Sequence, residues 1–131
     1  MLQKTTDPQT HKIGFLYSDL TYKINGILIE VHKELGSYAR EKQFADLMEQ
    51  KLKENGLLYK RELRIGDSGN IMDFVVDNKI ILELKAKPFL IREDYDQVKR
   101  YLHQANLKLG ILVNFREKFI QPKRVLNENN F

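Results

Sequence analysis

Between Leu107 and Phe115 the chain carries an almost unbroken apolar run centred on Leu109-Gly110-Ile111-Leu112-Val113. A strand of that kind has no polar face to turn to water, so it must be covered on both sides. The chain reaches it from another strand, Ile80 to Ala86. Between the two lie Pro88 and a helical stretch from about Arg92 to Ala105, acidic at its start as the helix dipole prefers. Strand, helix and strand in that order imply a right-handed crossover between parallel neighbours. A chain of 131 residues built on this unit suits one α/β domain with helices layered on a sheet.

The remaining periodicities supply the other elements. Leu20, Ile24, Ile27, Leu28, Val31 and Leu35 recur at helical spacing and predict a helix from Leu20 to Leu35. Ser18 or Asp19 suits its cap, and Gly36 suits the left-handed residue after its end. A second helix is predicted from about Arg40 to Asn55, with Phe44, Leu47, Met48 and Leu52 on one face and Gly56 as its stop. The period then changes to two. Tyr59, Leu63 and Ile65 mark a strand from Leu57 to Ile65, and Gly66-Asp67-Ser68-Gly69-Asn70 is a turn by composition. Ile71 to Val76 pairs with Ile80 to Ala86 through Asp77-Asn78-Lys79; a three-residue loop sets Val76 against Ile80 and Asp73 against Glu83. A short edge strand is expected around Phe119–Ile120, broken by Pro122. The predicted architecture is α/β with a central mixed sheet flanked by helices, in the order α-α-β-β-β-α-β. Residues 1–17 are expected to form a polar N-terminal extension and residues 18–131 the single domain.

Composition removes several classes of function. With no cysteine there is no disulfide scaffold, no thiolate zinc site and no cysteine nucleophile. No apolar run is long enough to span a bilayer, and Met1 to Thr10 does not resemble a secretory signal, so a soluble cytoplasmic protein without a membrane partner is expected. The net charge is +4, and all of it lies beyond Lys85, where nine basic residues face five acidic ones. A basic surplus can gather a polyanion by releasing its counterions, though it serves solubility equally well.

One strand breaks its own pattern. In Ile80–Ala86, Ile80, Leu82 and Leu84 point one way, while Ile81, Glu83 and Lys85 point the other. An acid and a base thus share a face in an apolar strand, and Asp73 interrupts the strand paired with it. Two carboxylates in reach of each other repel unless a proton or cation intervenes, and Mg²⁺ is the hard ion such oxygens serve. An acid-x-Lys tripeptide should arise by chance about twice in such a chain, and three occur: Glu49-Gln50-Lys51, Asp77-Asn78-Lys79 and Glu83-Leu84-Lys85. Only the third lies on a predicted strand, following an acid on the strand before it.

In that context Asp73 and Glu83-Leu84-Lys85 resemble the signature of the PD-(D/E)XK nuclease superfamily, and in particular the small GxxExxY proteins. The resemblance runs from about Leu20 to Phe115 and includes Tyr22-Lys23-Ile24, Gly26, Glu30 to Gly36, Glu41, Gln97, Tyr101-Leu102 and Leu109 to Phe115. Two positions of the GxxExxY motif differ, its glycine being Tyr38 and its tyrosine Phe44, and Met72 stands where the superfamily has proline. The resemblance implies a restriction-endonuclease-like core. It also implies Asp73, Glu83, the Leu84 carbonyl and Glu41 as ligands of Mg²⁺, with Mn²⁺ as a substitute. Lys85 would orient or deprotonate the attacking water, and Gln97 and Tyr101 would flank the site; separately, the basic surplus of the C-terminal third puts forward Lys99 and Arg100 for substrate binding. The implied reaction is phosphodiester hydrolysis in nucleic acid, DNA before RNA, with a homodimer or partner protein extending so small a surface.

Plainer readings stand beside these. Glu83 and Lys85 also suit a solvated strand face with a surface ion pair, and Glu41 suits a helix N-terminus for its charge alone. Tyr101 suits a core, and His32 and His103 suit structural positions. Asn114, ending a buried strand, can satisfy backbone groups. On the same fold, a catalytically inactive nucleic-acid-binding or regulatory module is the alternative function.

Overall fold

A computed structural model describes residues 16–128. Three helices, α1 (Ser18–Leu35), α2 (Glu41–Glu54) and α3 (Arg92–Ala105), accompany five strands: β1 (Tyr59–Arg64), β2 (Ile71–Val76), β3 (Ile80–Lys85), β4 (Leu109–Asn114) and β5 (Lys123–Leu126). The sheet order is β1-β2-β3-β4-β5. Only β3 and β4 run parallel; every other neighbouring pair is antiparallel. Among the described residues no helix is long and apolar enough to cross a membrane.

The sheet is covered on both faces, as the apolar β4 requires. Ile24, Leu28 and Val31 of α1 and Phe44, Met48 and Leu52 of α2 close one core against Phe74, Ile80, Leu82, Leu84, Ile111 and Val113. Phe44 and Phe115 stack in parallel within it, 4.2 Å between ring centroids. On the other face Val98, Tyr101 and Leu102 of α3 pack on Ile81, Leu112, Met72, Val75 and Val125. All six residues of β4 are buried, as are the first five of β3.

The helix ends follow the glycines but not the expected cap. Gly36 (φ 76) sends its N–H to the His32 carbonyl, and Gly56 (φ 68) follows the end of α2. Ser18 and Asp19 lie inside α1 instead of capping it; Tyr17 precedes the helix in a left-handed conformation, with no side-chain cap bond. Residues 1–15 of the expected extension lie outside the described residues, and its last two, Leu16 and Tyr17, pack against the first core. The turn between β2 and β3 has the predicted register, Val76↔Ile80, with Asp77 and Asn78 both left-handed, which short polar side chains tolerate.

The edge strand is displaced. It is not Phe119–Ile120 but Lys123–Leu126, paired so that Leu109 meets Leu126 and Leu112 meets Lys123. Pro122 lacks an N–H and so marks the start of the strand, not its interruption.

Close packing seats α3 on β4. A Cβ at Gly110 would lie 2.6 Å from Val98 Cγ1, so only glycine lets the helix approach. Gly110→Ala should therefore cost about 1–3 kcal/mol through overpacking. Adding Val98→Ala should recover part of the loss, and urea denaturation of the single and double variants measures both. Equal stability of Gly110→Ala and wild type would show that the helix shifts freely.

Candidate metal centre

The site forms where the ladder between β2 and β3 gives out. Their backbone register stops at Phe74↔Leu82. One step further, the Asp73 N–H donates to Glu83 Oε1 at 2.9 Å and the Leu84 N–H donates to Asp73 Oδ2 at 2.8 Å. Each carboxylate has replaced a backbone carbonyl of the opposite strand. The Lys85 carbonyl accepts the Phe115 N–H on the β4 side. Successive residues face alternate edges, so Leu84 turns its N–H and its carbonyl towards β2 and the carboxylates.

A distortion in β1 accompanies this. The β1–β2 register is missing only where Glu62 would face Asp73, and Glu62 is left-handed at φ 54. Met72 and Phe74, two residues apart, join opposite cores. In a regular strand they would share a face, so β2 turns over at Asp73. Strain of this kind in a non-glycine residue persists only where surrounding structure enforces it.

Electrostatics set Glu83 apart. It is 3% exposed. Burial, then the Asp73 charge, pushes its carboxyl up to about 9, so near neutral pH it keeps a proton and hydrogen-bonds Asp73 through it. No ion pair of the described residues includes Asp73, Glu83 or Glu41. The plainer reading of Glu83 and Lys85 as a solvated ion pair therefore fails: β3 is buried on both faces, and Lys85 Nζ donates instead to Gln97 Oε1 at 2.8 Å. Gln97 and Tyr101 lie one turn apart on the same face of α3. The Tyr101 hydroxyl is raised by burial and by the charges of Glu83 and Asp73, which places the ring beside the acids.

Glu41 approaches from the start of α2. A cleft of about 220 Å³ brings it together with Lys42, Arg61, Glu62, Asp73 and Leu84. Partial burial raises its carboxyl, the Asp73 charge raises it further, and Lys85 opposes both. Arg61 is engaged elsewhere, on Asp46 at 2.8 Å and Glu49 at 2.9 Å.

Asp73, Glu83, Lys85, Gln97 and Tyr101 are thus brought together, with Glu41 across the cleft. Lys99 and Arg100 are not part of this cluster. Arg100 pairs with Glu93, and Lys99 borders shallow clefts with His103 and Glu128 and with Arg124 near β5. The donors at the centre are all oxygens, two of them on adjacent acids that hold a proton between them, which is the chemistry a hard divalent cation replaces. Among the described residues no three acidic or histidine side chains already converge as a metal cluster, so a backbone carbonyl or water would complete any coordination.

The loops beside the site are held by residues that sequence reasoning did not assign to it. Asp94, 6% exposed, accepts Lys87 Nζ and the Ile91 N–H, both at 2.8 Å. Burial alone would raise its carboxyl, but those bonds hold it low. Asn114 satisfies backbone as its plainer reading expected, bonding both the N–H and the carbonyl of Lys87. His32 is structural, its Nε2 meeting the Glu117 carbonyl at 2.8 Å. The only sequence signal for Asp94 was its place in the first turn of a helix after Pro88.

A model of the PD-(D/E)XK nuclease superfamily matches residues 18–125, and the chain belongs to that superfamily. Its mixed five-stranded sheet with three helices is consistent with the restriction-endonuclease-like fold. Nucleases of the superfamily act on nucleic acid and generally use divalent metal ions. No curated protein and no solved structure matches the chain.

The raised Glu83 carboxyl has a consequence for stability. The folded protein holds this proton more tightly than the unfolded chain, whose carboxyl titrates near 4.5. Stability is therefore greatest below that value and is lost as pH rises towards 9. Glu83→Gln keeps the shape and the acceptor for the Asp73 N–H while removing the titration. In metal-free buffer the variant should match wild type near pH 5 and exceed it by on the order of 2 kcal/mol near pH 8, as read by thermal melts across pH. A variant less stable than wild type near pH 8 would show that Glu83 is not strained there.

Proposed function

We propose that the chain is a Mg²⁺-dependent nuclease hydrolysing phosphodiester bonds in nucleic acid, with DNA as its substrate and Mn²⁺ as a substitute ion. The observation that carries this is the buried Glu83 bonded to the half-buried Asp73 at the end of a broken strand ladder, with Lys85 beside it. A buried acid held against a second carboxylate is costly to a fold, and a fold keeps such a cost most readily where it serves chemistry.

Asp73, Glu83 and the Leu84 carbonyl are the ligands, with Glu41 acting directly or through water. When bound, the ion supplies positive charge that polarises the phosphoryl group and acidifies water. The chain's own residues do the rest. To hold the ion Glu83 would have to be in its charged form, its proton passing to solvent. Lys85 orients or deprotonates the attacking water and offsets charge building on the phosphate, with its ammonium aimed by Gln97. Tyr101 and Gln97 wall the site on the α3 side. Lys99 and Arg100, exposed on the same helix but off the cleft, attract the polyanion at longer range. Glu41 matches the glutamate of the GxxExxY proteins, which supports assignment to that subgroup.

Incubating purified protein with labelled single- and double-stranded DNA and RNA, in Mg²⁺, Mn²⁺ or EDTA, tests the reading. Wild type should cut DNA only with metal. Glu83→Gln and Lys85→Ala should each lose about 100-fold or more in rate while remaining folded. Lys85→Ala should still bind Mn²⁺ by calorimetry, because lysine is not a ligand. Nucleic acid bound equally by all three proteins and cut by none would make the chain a binding module.

A further inference from the structure

Three aromatic rings carried on loops stand largely in water: Tyr38 is 84% exposed, and Phe89 and Phe119 are each 76% exposed; a fourth exposed ring, Tyr22, lies on α1. Each occupies a different loop, Tyr38 between α1 and α2, Phe89 between β3 and α3, and Phe119 between β4 and β5. Rings of this size normally supply core burial, and three left out on adjoining loops mark a surface with a partner.

The loops are bound to one another. The Arg116 guanidinium lies 5.2 Å over the Tyr38 ring, and its Nη2 donates to the Ala86 carbonyl in the Phe89 loop. Ser37 Oγ donates to the Glu117 carbonyl, joining the Tyr38 loop to the Phe119 loop. Asn114 clasps the backbone of Lys87 on both sides. Lys118 Nζ sits 5.5 Å from the Phe119 ring. The result is three loops tied together, each carrying an exposed ring, with cations against two of the rings.

These loops border the metal centre. Lys85 and Asn114 are register partners at the ends of β3 and β4, so both following loops leave the sheet beside Lys85. Tyr38 stands three residues before Glu41. The partner must therefore offer flat faces for stacking, negative charge for the cations, and a group for the adjacent acids and lysine to act on. An unpaired nucleotide offers all three: its base stacks on an aromatic ring and its phosphate meets Arg or Lys. A base inside a duplex has both faces covered by its neighbours and cannot use the rings.

Resting on the nuclease reading above, we propose that Tyr38, Phe89 and Phe119 bind single-stranded nucleic acid by base stacking, and that the site's substrate is an unpaired strand. Fluorescence anisotropy in EDTA, at fixed salt, separates binding from cutting. The probes are a labelled single-stranded DNA oligonucleotide and the blunt duplex of the same sequence. Wild type should prefer the single strand about tenfold or more. Tyr38→Ala, Phe89→Ala and Phe119→Ala should each weaken single-strand binding about five- to tenfold, while Tyr38→Phe, which keeps the ring, should not. All four variants change side chains that stand in solvent, and unchanged circular dichroism confirms folding. Equal affinity for the duplex, or three alanine variants that bind the single strand like wild type, would overturn the proposal. Cleavage with Mg²⁺ is read separately. Ring-dependent single-strand binding without cutting by wild type upholds base stacking and removes the nuclease reading. Lys85-dependent cutting with silent rings does the reverse.

Discussion

Two hydrogen bonds between β2 and β3, from the Asp73 N–H to Glu83 and from the Leu84 N–H to Asp73, organise the functional end of this molecule. A regular antiparallel pair satisfies its N–H groups with backbone carbonyls. Here side-chain carboxylates do so, which drops the two strands out of register contact while leaving neither donor orphaned. The exchange puts two acids in one narrow gap and releases the Leu84 carbonyl towards them. Their repulsion is relieved by a shared proton, and a hard cation relieves it in the same way. The left-handed Glu62 opposite Asp73 and the turnover of β2 are the backbone's accommodation to this gap.

That arrangement needs walls that do not yield, and the two cores supply them. β3 is buried on both faces and lies against the fully buried β4, so the strand that carries Glu83 cannot withdraw from Asp73. The α1–α2 layer brings Glu41 to one side through the stacked Phe44 and Phe115. The α3 layer brings Gln97 and Tyr101 to the other, seated on the bare backbone of Gly110. The Lys87–Asp94 pair then fixes the loop that joins the site to its third helix. Burial raises Glu83 and lowers nothing on its own; Asp94 remains charged because Lys87 and the Ile91 N–H answer it. The contrast between these two buried acids separates a structural carboxylate from one kept without a cationic partner.

Much of this was legible in the chain because it depends on local pattern. Helical and twofold periodicities placed seven of the eight elements, and the three-residue turn after Val76 carried Asp73 to the level of Glu83. The eighth, β5, was placed on the wrong side of Pro122, because a short edge strand has too little pattern to outweigh one proline. Ser18 and Asp19 looked like caps by residue type, but α1 starts at Ser18, so neither is positioned to accept the free N–H groups.

The residue types Asp73, Glu83 and Lys85, their order along the chain and the apolar strands around them were determined by the sequence alone, since side-chain alternation in a strand needs no knowledge of the rest of the fold. Which of the acids is strained was decided only by tertiary structure. Glu83 loses its water to α3 and β4, residues far from it in sequence, and that burial separates it from the solvated ion pair its tripeptide equally allowed. The exposed rings of Tyr38, Phe89 and Phe119 follow the same division. Each is an ordinary loop aromatic in the sequence, and the loops that carry them meet only because Arg116, Ser37 and Asn114 bind three distant segments together at the end of the sheet.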